Sequence, residues 1–126
     1  MFAEIVLWLA ALNWILAGSS ALAFPRATAA LLELELGAPI SRSDFRAVYG
    51  GLRLGAGVFL GWAAWSGQVR VGLTAAGLLF GGNLIGRVAS LLIDGPPGRV
   101  GSSLLVLETL GLVVVGAALA QSTPSL

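Results

Sequence analysis

Four long apolar stretches occupy most of this chain and restrict what it can fold into. They cover approximately residues 2–24, 44–65, 69–93 and 101–120. A helix of about 20 residues matches the hydrocarbon core of a bilayer, and only a helix or a closed barrel satisfies its backbone hydrogen bonds there. The pattern therefore predicts an all-α, integral membrane four-helix bundle that forms a single domain over residues 1–126.

The composition agrees with a membrane location. Of the 126 residues, 57% are hydrophobic and 10% are charged, whereas a soluble domain carries about 25% charged residues. The net charge of +1 gives no electrostatic basis for binding nucleic acid. The sequence has no Cys and no His, which removes thiol chemistry and the usual zinc and haem ligands. We therefore predict neither a metal site nor a cofactor.

The first apolar stretch is predicted to be a retained helix rather than a cleaved signal peptide. Ala21-Leu22-Ala23 matches the small-residue pattern of a cleavage site, but the N-terminus has Glu4 where a secretory signal has Lys or Arg. Pro25 is expected to end this helix. Residues 25–40 are too few to span, and their mixture of leucines with glutamates predicts a short interfacial helix between spans one and two.

The arginines indicate an orientation in the membrane. Gly37 and Pro39 are expected to end the interfacial helix, and the next helix is expected to start near Ser41 or Ser43. Four arginines lie in the two longer loops or beside them, and only Arg70 lies on the opposite side; the four are Arg26, Arg42, Arg46 and Arg99. The positive-inside rule then places both long loops in the cytoplasm and both termini outside.

Glycines and tryptophans indicate how the helices pack. Four G-x-x-x-G pairs predict close approach of helices, either within the chain or in a homodimer; they are Gly51/Gly55, Gly57/Gly61, Gly77/Gly81 and Gly82/Gly86. The four tryptophans are expected to anchor helices at the membrane surface, as aromatic belts do.

Polar residues in the third span form a stripe. Asn83, Arg87, Ser90 and Asp94 are spaced i, i+4, i+7 and i+11, so they share one helix face. Such a stripe must face protein or water, because lipid cannot satisfy it.

The other spans place polar groups at a similar depth. These are Asn13, Arg53 and Glu108, whereas Tyr49 lies shallower; Tyr49 and Arg53 share a face with Arg42 and Arg46. Each charge at a helix centre costs about 2.5–3.5 kcal/mol to insert. We therefore expect the charges to face inward, with Glu108 paired to Arg87. The remaining positive charge would hold Asp94, a lipid phosphate or an anionic ligand.

Two motifs resemble a known family. The segments YGGLRLG (49–55) and GRVASLLIDGPP (86–97), followed by Glu108, are similar to small four-span bacterial membrane proteins grouped as domain of unknown function 4345. The resemblance implies a four-helix bundle in the bacterial inner membrane, but it supplies no activity and no catalytic residues. The residues that match are Tyr49, Gly50, Gly51, Gly55, Arg87, Asp94, Gly95 and Glu108. Arg53 and Asn83 are candidates on physical grounds alone.

Several functions fit this polar layer. The first is a lipid-binding protein, or an accessory or scaffold subunit of a larger membrane complex, with membrane lipids as partners. The layer could also serve only to fix helix register. The alternative is a small membrane enzyme acting on an isoprenoid or acyl substrate, with Glu108 or Asp94 as acid/base and Arg53 or Arg87 steering an anionic head. A transporter ranks last because the outer half lacks acidic groups.

Overall fold

The protein is all-helical over residues 1–122, the range that this computed structural model describes. The predicted all-α class is confirmed for that range. The elements are α1 (Phe2–Ala23), α2 (Pro25–Leu31), α3 (Pro39–Phe45), a π-helical turn (Arg46–Gly51), α4 (Leu52–Trp65), α5 (Val69–Asp94) and α6 (Gly98–Gln121).

Three helices, α1, α5 and α6, are long and apolar enough to cross a membrane. The stretch predicted as the second span, residues 44–65, differs from them because it is not one regular α-helix. It consists of the end of α3, the π-helical turn and α4, which follow one another without a break. Phe45 and Leu52, on either side of the π-helical turn, both keep right-handed helical angles. The backbone therefore stays helical from Pro39 to Trp65.

The start of α3 differs from the prediction. We expected Pro39 to stop one helix and Ser41 or Ser43 to begin the next, but α3 begins at Pro39 itself. Ala38 before it is extended (ψ 155°) and acts as the N-cap residue. Proline suits the first helical position because its φ is preset and its missing N–H would have had no partner there.

The end of α2 also differs from the prediction, which placed it at Gly37. The helix ends at Leu31, and Glu33 adopts a left-handed conformation with φ 57°. The N–H groups of Glu33 and Leu34 donate to the carbonyls of Ala30 and Ala29. This is the Schellman arrangement, in which glycine normally occupies the left-handed position. The sequence has no glycine at this position, so the prediction placed the end of the helix at the next glycine, Gly37.

Glycine at position 33 is expected to stabilise the protein. The left-handed conformation costs a residue with a Cβ about 1 kcal/mol, and glycine avoids this cost. Glu33→Gly should therefore raise the free energy of unfolding by about that amount. The measurement is unfolding in SDS–detergent mixtures followed by tryptophan fluorescence. Glu35→Gly, at a residue without positive φ, is the control and should give no gain. Equal effects of the two variants would contradict the assignment.

The main hydrophobic core lies at one end of the molecule. Leu7, Leu60 and Leu73 are fully buried in it, and Val115 and Ala118 of α6 complete it. These residues come from the first half of α1, the end of α4, the first half of α5 and the end of α6. All four helices are therefore packed together at this end.

A second, smaller core lies at the other end and has a different composition. Ala21 of α1, Ala29 of α2 and Phe45 of α3 form it, with Leu32 and Tyr49 packed against them. Neither α5 nor α6 contributes a residue to this cluster. The pair α5–α6 therefore diverges from α1, α2 and α4 toward this end, which leaves space between the two groups.

Glycine allows α1 and α4 to approach each other closely. A Cβ atom at Gly18 would stand 2.5 Å from the backbone nitrogen of Leu54, and one at Gly57 would stand 2.7 Å from the nitrogen of Ile15. The packing is thus within the chain, but only some of the predicted pairs take part. A Cβ would meet nothing within 4 Å at Gly55, Gly81, Gly82 or Gly86.

Candidate functional site

The space between the diverging helices is a cavity of about 800 Å³. Its walls come from α1, α2, α4, α5 and α6, and leucine, valine and alanine side chains provide most of them. The main core closes it at one end, where Val6, Ala10 and Val115 belong to both structures. At the other end α2 covers it with Thr28, Leu31 and other residues. The size is within the range of small-molecule sites, roughly 300–1,000 Å³.

The predicted polar residues converge on this cavity from different elements. Asn13 of α1, Tyr49 of the π-helical turn, Arg53 of α4, Asn83 of α5 and Glu108 of α6 all line it. Four of them have matching depths along separate helices, and Tyr49, one turn before Arg53, lines the same cavity. The cavity is therefore apolar along most of its surface, with one concentrated group of polar side chains.

Arg53 carries a charge that has no ionic partner in the site. Its guanidinium lies over the rings of Trp14 and Tyr49, 5.3 and 5.1 Å from their centroids. The Tyr49 ring is itself stacked on Phe45 at 4.8 Å. Within residues 1–122, Arg53 makes no hydrogen bond and no ion pair. Aromatic faces stabilise a cation, but they leave its N–H donors unused.

Trp14 provides a second unused donor, which the sequence analysis did not identify. Its side chain is only 5% exposed, and its ring packs edge-on against Phe80 at 5.8 Å. The indole Nε1 is buried and has no hydrogen-bond partner among the described residues. The expectation that every tryptophan anchors a helix at the membrane surface is thus wrong for Trp14. Its position in the middle of α1, beside Asn13, was the available signal.

Glu108 is held by Arg87, as the sequence predicts. The Nε of Arg87 donates to the carboxylate Oε2 of Glu108 at 2.5 Å, and the two side chains are 31% and 10% exposed. Glu108 lines the cavity, whereas Arg87 lies behind it. One carboxylate and two guanidinium groups leave a net charge of +1 in this region. Arg53 supplies the charge that is not neutralised.

Ser90 and Asp94 lie apart from the cavity. Both are exposed, and the Ser90 hydroxyl donates to the Asp94 carboxylate at 2.8 Å. Asp94 forms no ion pair with any residue that the structure describes. The expectation that it reaches Arg87 or Arg53 is therefore wrong. It lies in the last turn of α5, far beyond the residues that α5 buries, and a bond to the preceding turn satisfies it locally.

The cavity opens sideways between α1 and α6. Leu9 on α1 and Leu107, Leu110 and Val114 on α6 line it and yet remain exposed. Their exposed positions mark the mouth. Its rim is apolar, so a molecule entering here passes between hydrocarbon side chains.

The site does not have the composition of a metal centre. No group of three or more His, Cys, Asp or Glu residues is placed to hold a metal ion in the part of the chain that the structure covers. The one carboxylate at the cavity already accepts a bond from Arg87. The groups that remain for a ligand are the donors of Arg53 and the amides of Asn13 and Asn83, which line the same cavity.

The sequence model of a family described as domain of unknown function (DUF4345) matches residues 2–119. No curated protein and no solved structure matches the chain. The matched range contains all the polar residues of the cavity and the whole of helices α1 to α5.

Proposed function

Because this chain belongs to the DUF4345 family, whose description names no activity, we propose a function from the cavity: the protein binds a lipid-like molecule with an anionic headgroup. It does so as a four-span protein of the bacterial inner membrane. The headgroup contacts Arg53, and the apolar part occupies the rest of the cavity.

In addition to α1, α5 and α6, the proposal requires one more span, which is the segment from α3 to α4 and is the second span in chain order. It packs along α1 in the antiparallel sense, since Leu54 lies against Gly18 and Gly57 lies against Ile15. The segment stays helical over 39–65, which at about 1.5 Å per residue exceeds the thickness of the hydrocarbon core. The arginine distribution supports cytoplasmic long loops and both termini outside.

The observation that carries the proposal is the unpaired guanidinium of Arg53 at an apolar cavity. Arg53 is half-buried, and removing a charge from water without a partner is costly; a carboxylate or phosphate would supply the partner through charge-assisted hydrogen bonds. The N–H donors of Arg53 would not be satisfied by a purely hydrocarbon ligand.

Binding fits the geometry better than acid/base catalysis. The carboxylate of Glu108 is already engaged by Arg87, and Asp94 does not line the cavity. Glu108 therefore faces the cavity as an ion-paired carboxylate, and Asp94 faces no bound substrate.

An accessory role is compatible with the same site. A Cβ at Gly55, Gly82 or Gly86 would meet no other atom within 4 Å, so these helix faces are open. Glycine lets another helix approach closely, and a neighbouring subunit could pack there.

The experiment compares oleate with oleyl alcohol, which has the same chain but no charge. Native mass spectrometry of the detergent-purified protein should show stronger binding of oleate. Arg53→Gln should weaken oleate binding roughly tenfold and leave the weak binding of oleyl alcohol unchanged. Arg99→Gln, at an exposed residue outside the cavity, is the control and should bind oleate normally. Wild-type affinity for oleate in Arg53→Gln would refute the proposal.

A further inference from the structure

Three arginines converge on a second concave site, at the surface of the molecule. Arg26, Arg42 and Arg46 line a groove of about 510 Å³ together with Phe24, Pro25 and Ala27. Phe24 and Ala27 also line the large cavity, so they separate the two sites. Arg53 does not line this groove.

The local fold explains why these arginines meet. Pro25 begins α2 directly after α1 ends, which places Arg26 in the first turn of α2. Ala29 of α2 then packs with Ala21 and Phe45 in the smaller core. This contact brings the start of α2 beside the helical segment that carries Arg42 and Arg46. Residues separated by 16 to 20 positions in the sequence are thereby assembled into one site.

The groove is strongly basic and has no internal counter-charge. None of the three guanidinium groups makes a hydrogen bond or an ion pair within residues 1–122, and no carboxylate is among the groove-lining residues that the structure describes. Like charges in one site repel one another. Arginines that only determine topology need to lie near the membrane surface, and they need not converge on a concave site.

We propose that this groove binds a phosphate group, carried by a phospholipid headgroup or present as a free anion. Guanidinium groups match the geometry of phosphate and bind it with paired hydrogen bonds. Phe24, 68% exposed, and Pro25 add apolar surface beside the arginines, which suits the glycerol and acyl part of a lipid. With α1 as a membrane span, the groove at its end would lie at the level of the membrane surface. The inference does not depend on the ligand of the large cavity.

The test uses phosphatidylglycerol and diacylglycerol, which differ by the phosphate-containing headgroup. The protein is purified in detergent, and the bound lipid is measured by native mass spectrometry. The wild type should retain phosphatidylglycerol in preference to diacylglycerol. The triple variant Arg26→Gln/Arg42→Gln/Arg46→Gln should lose at least tenfold in occupancy by phosphatidylglycerol. Because Arg26 and Arg46 are exposed and Arg42 is partly exposed, the variant should fold, and an unchanged SDS unfolding midpoint would verify this.

Two control variants isolate the groove from other charges. Arg99→Gln removes an exposed arginine outside the groove and should retain phosphatidylglycerol like the wild type. Arg53→Gln removes the charge of the large cavity and serves as a second background, in which the triple substitution should again lower phosphatidylglycerol occupancy at least tenfold relative to Arg53→Gln alone. Displacement of the lipid by excess inorganic phosphate would assign the site to a free anion, and resistance to it would assign the site to the lipid. Equal lipid retention by the wild type and the triple variant would overturn the proposal, as would an equal loss in Arg99→Gln.

Discussion

Replacing Gly18 with alanine is expected to lower the free energy of unfolding by about 3 kcal/mol. The new Cβ would stand 2.5 Å from the backbone nitrogen of Leu54 and 2.7 Å from the carbonyl oxygen of Gly50. Both neighbours are backbone atoms, so no side-chain rotation relieves the clash. The axes of α1 and α4 would have to separate, and the close packing along both helices would be lost.

Gly55→Ala is the matched control for Gly18→Ala. Gly55 lies on α4, one residue after Leu54, but a Cβ there would meet nothing within 4 Å. It should change stability by less than about 1 kcal/mol, in the stabilising direction that helix propensity favours. Both variants are measured by SDS unfolding followed by tryptophan fluorescence. A similar loss in the two variants would show that α1 and α4 do not pack as described.

The second large effect is expected on removing one partner of the Arg87–Glu108 pair. Arg87→Met leaves the carboxylate of Glu108, only 10% exposed, without its ionic partner. Breaking a buried pair in this way costs about 3–5 kcal/mol. Glu108→Gln should cost less, because Arg87 is 31% exposed and its long stem lets the guanidinium move toward water.

The double variant Arg87→Met/Glu108→Gln separates pairing from packing. With both charges removed, most of the loss caused by Arg87→Met should be recovered, because no uncompensated charge remains. The non-additivity should amount to about 2–3 kcal/mol in a double-mutant cycle. The free energies of unfolding of all four proteins are measured under one set of SDS conditions. Strictly additive losses would mean that the two side chains do not interact.

Part of the fold was predictable because apolar length alone determines it. The helices α1, α5 and α6 are each long and predominantly apolar, and such a stretch has few alternatives to a long helix. The segment around Tyr49 was not predictable in detail. A π-helical turn adds residues to one turn of the backbone, and neither a proline nor a distinctive pattern marks it in the sequence. The same holds for the end of α2, where Glu33 takes the place of a glycine.

The depth of polar residues along each helix located the candidate site, but the sequence did not show which face of each helix is buried. Counting residues inward along each helix places Arg53, Asn83 and Glu108 at one level, and the structure brings them to one cavity. The count could not show that the last turns of α5 leave the bundle, so it kept Asp94 in the site. Trp14 was predicted to lie at the membrane surface because tryptophans commonly do. Its burial depends instead on which face of α1 meets α4 and α5, and the sequence does not show this.

The sideways mouth between Leu9 and the exposed α6 side chains determines how a ligand would reach the cavity. An amphiphilic ligand would reach the site by diffusing within one leaflet, so water need not carry it. Occupancy would then follow the mole fraction of that molecule among the surrounding lipids rather than its aqueous concentration. A compound that partitions strongly into the bilayer would fill the cavity while remaining scarce in solution, and dilution of the cells or vesicles would barely alter its binding.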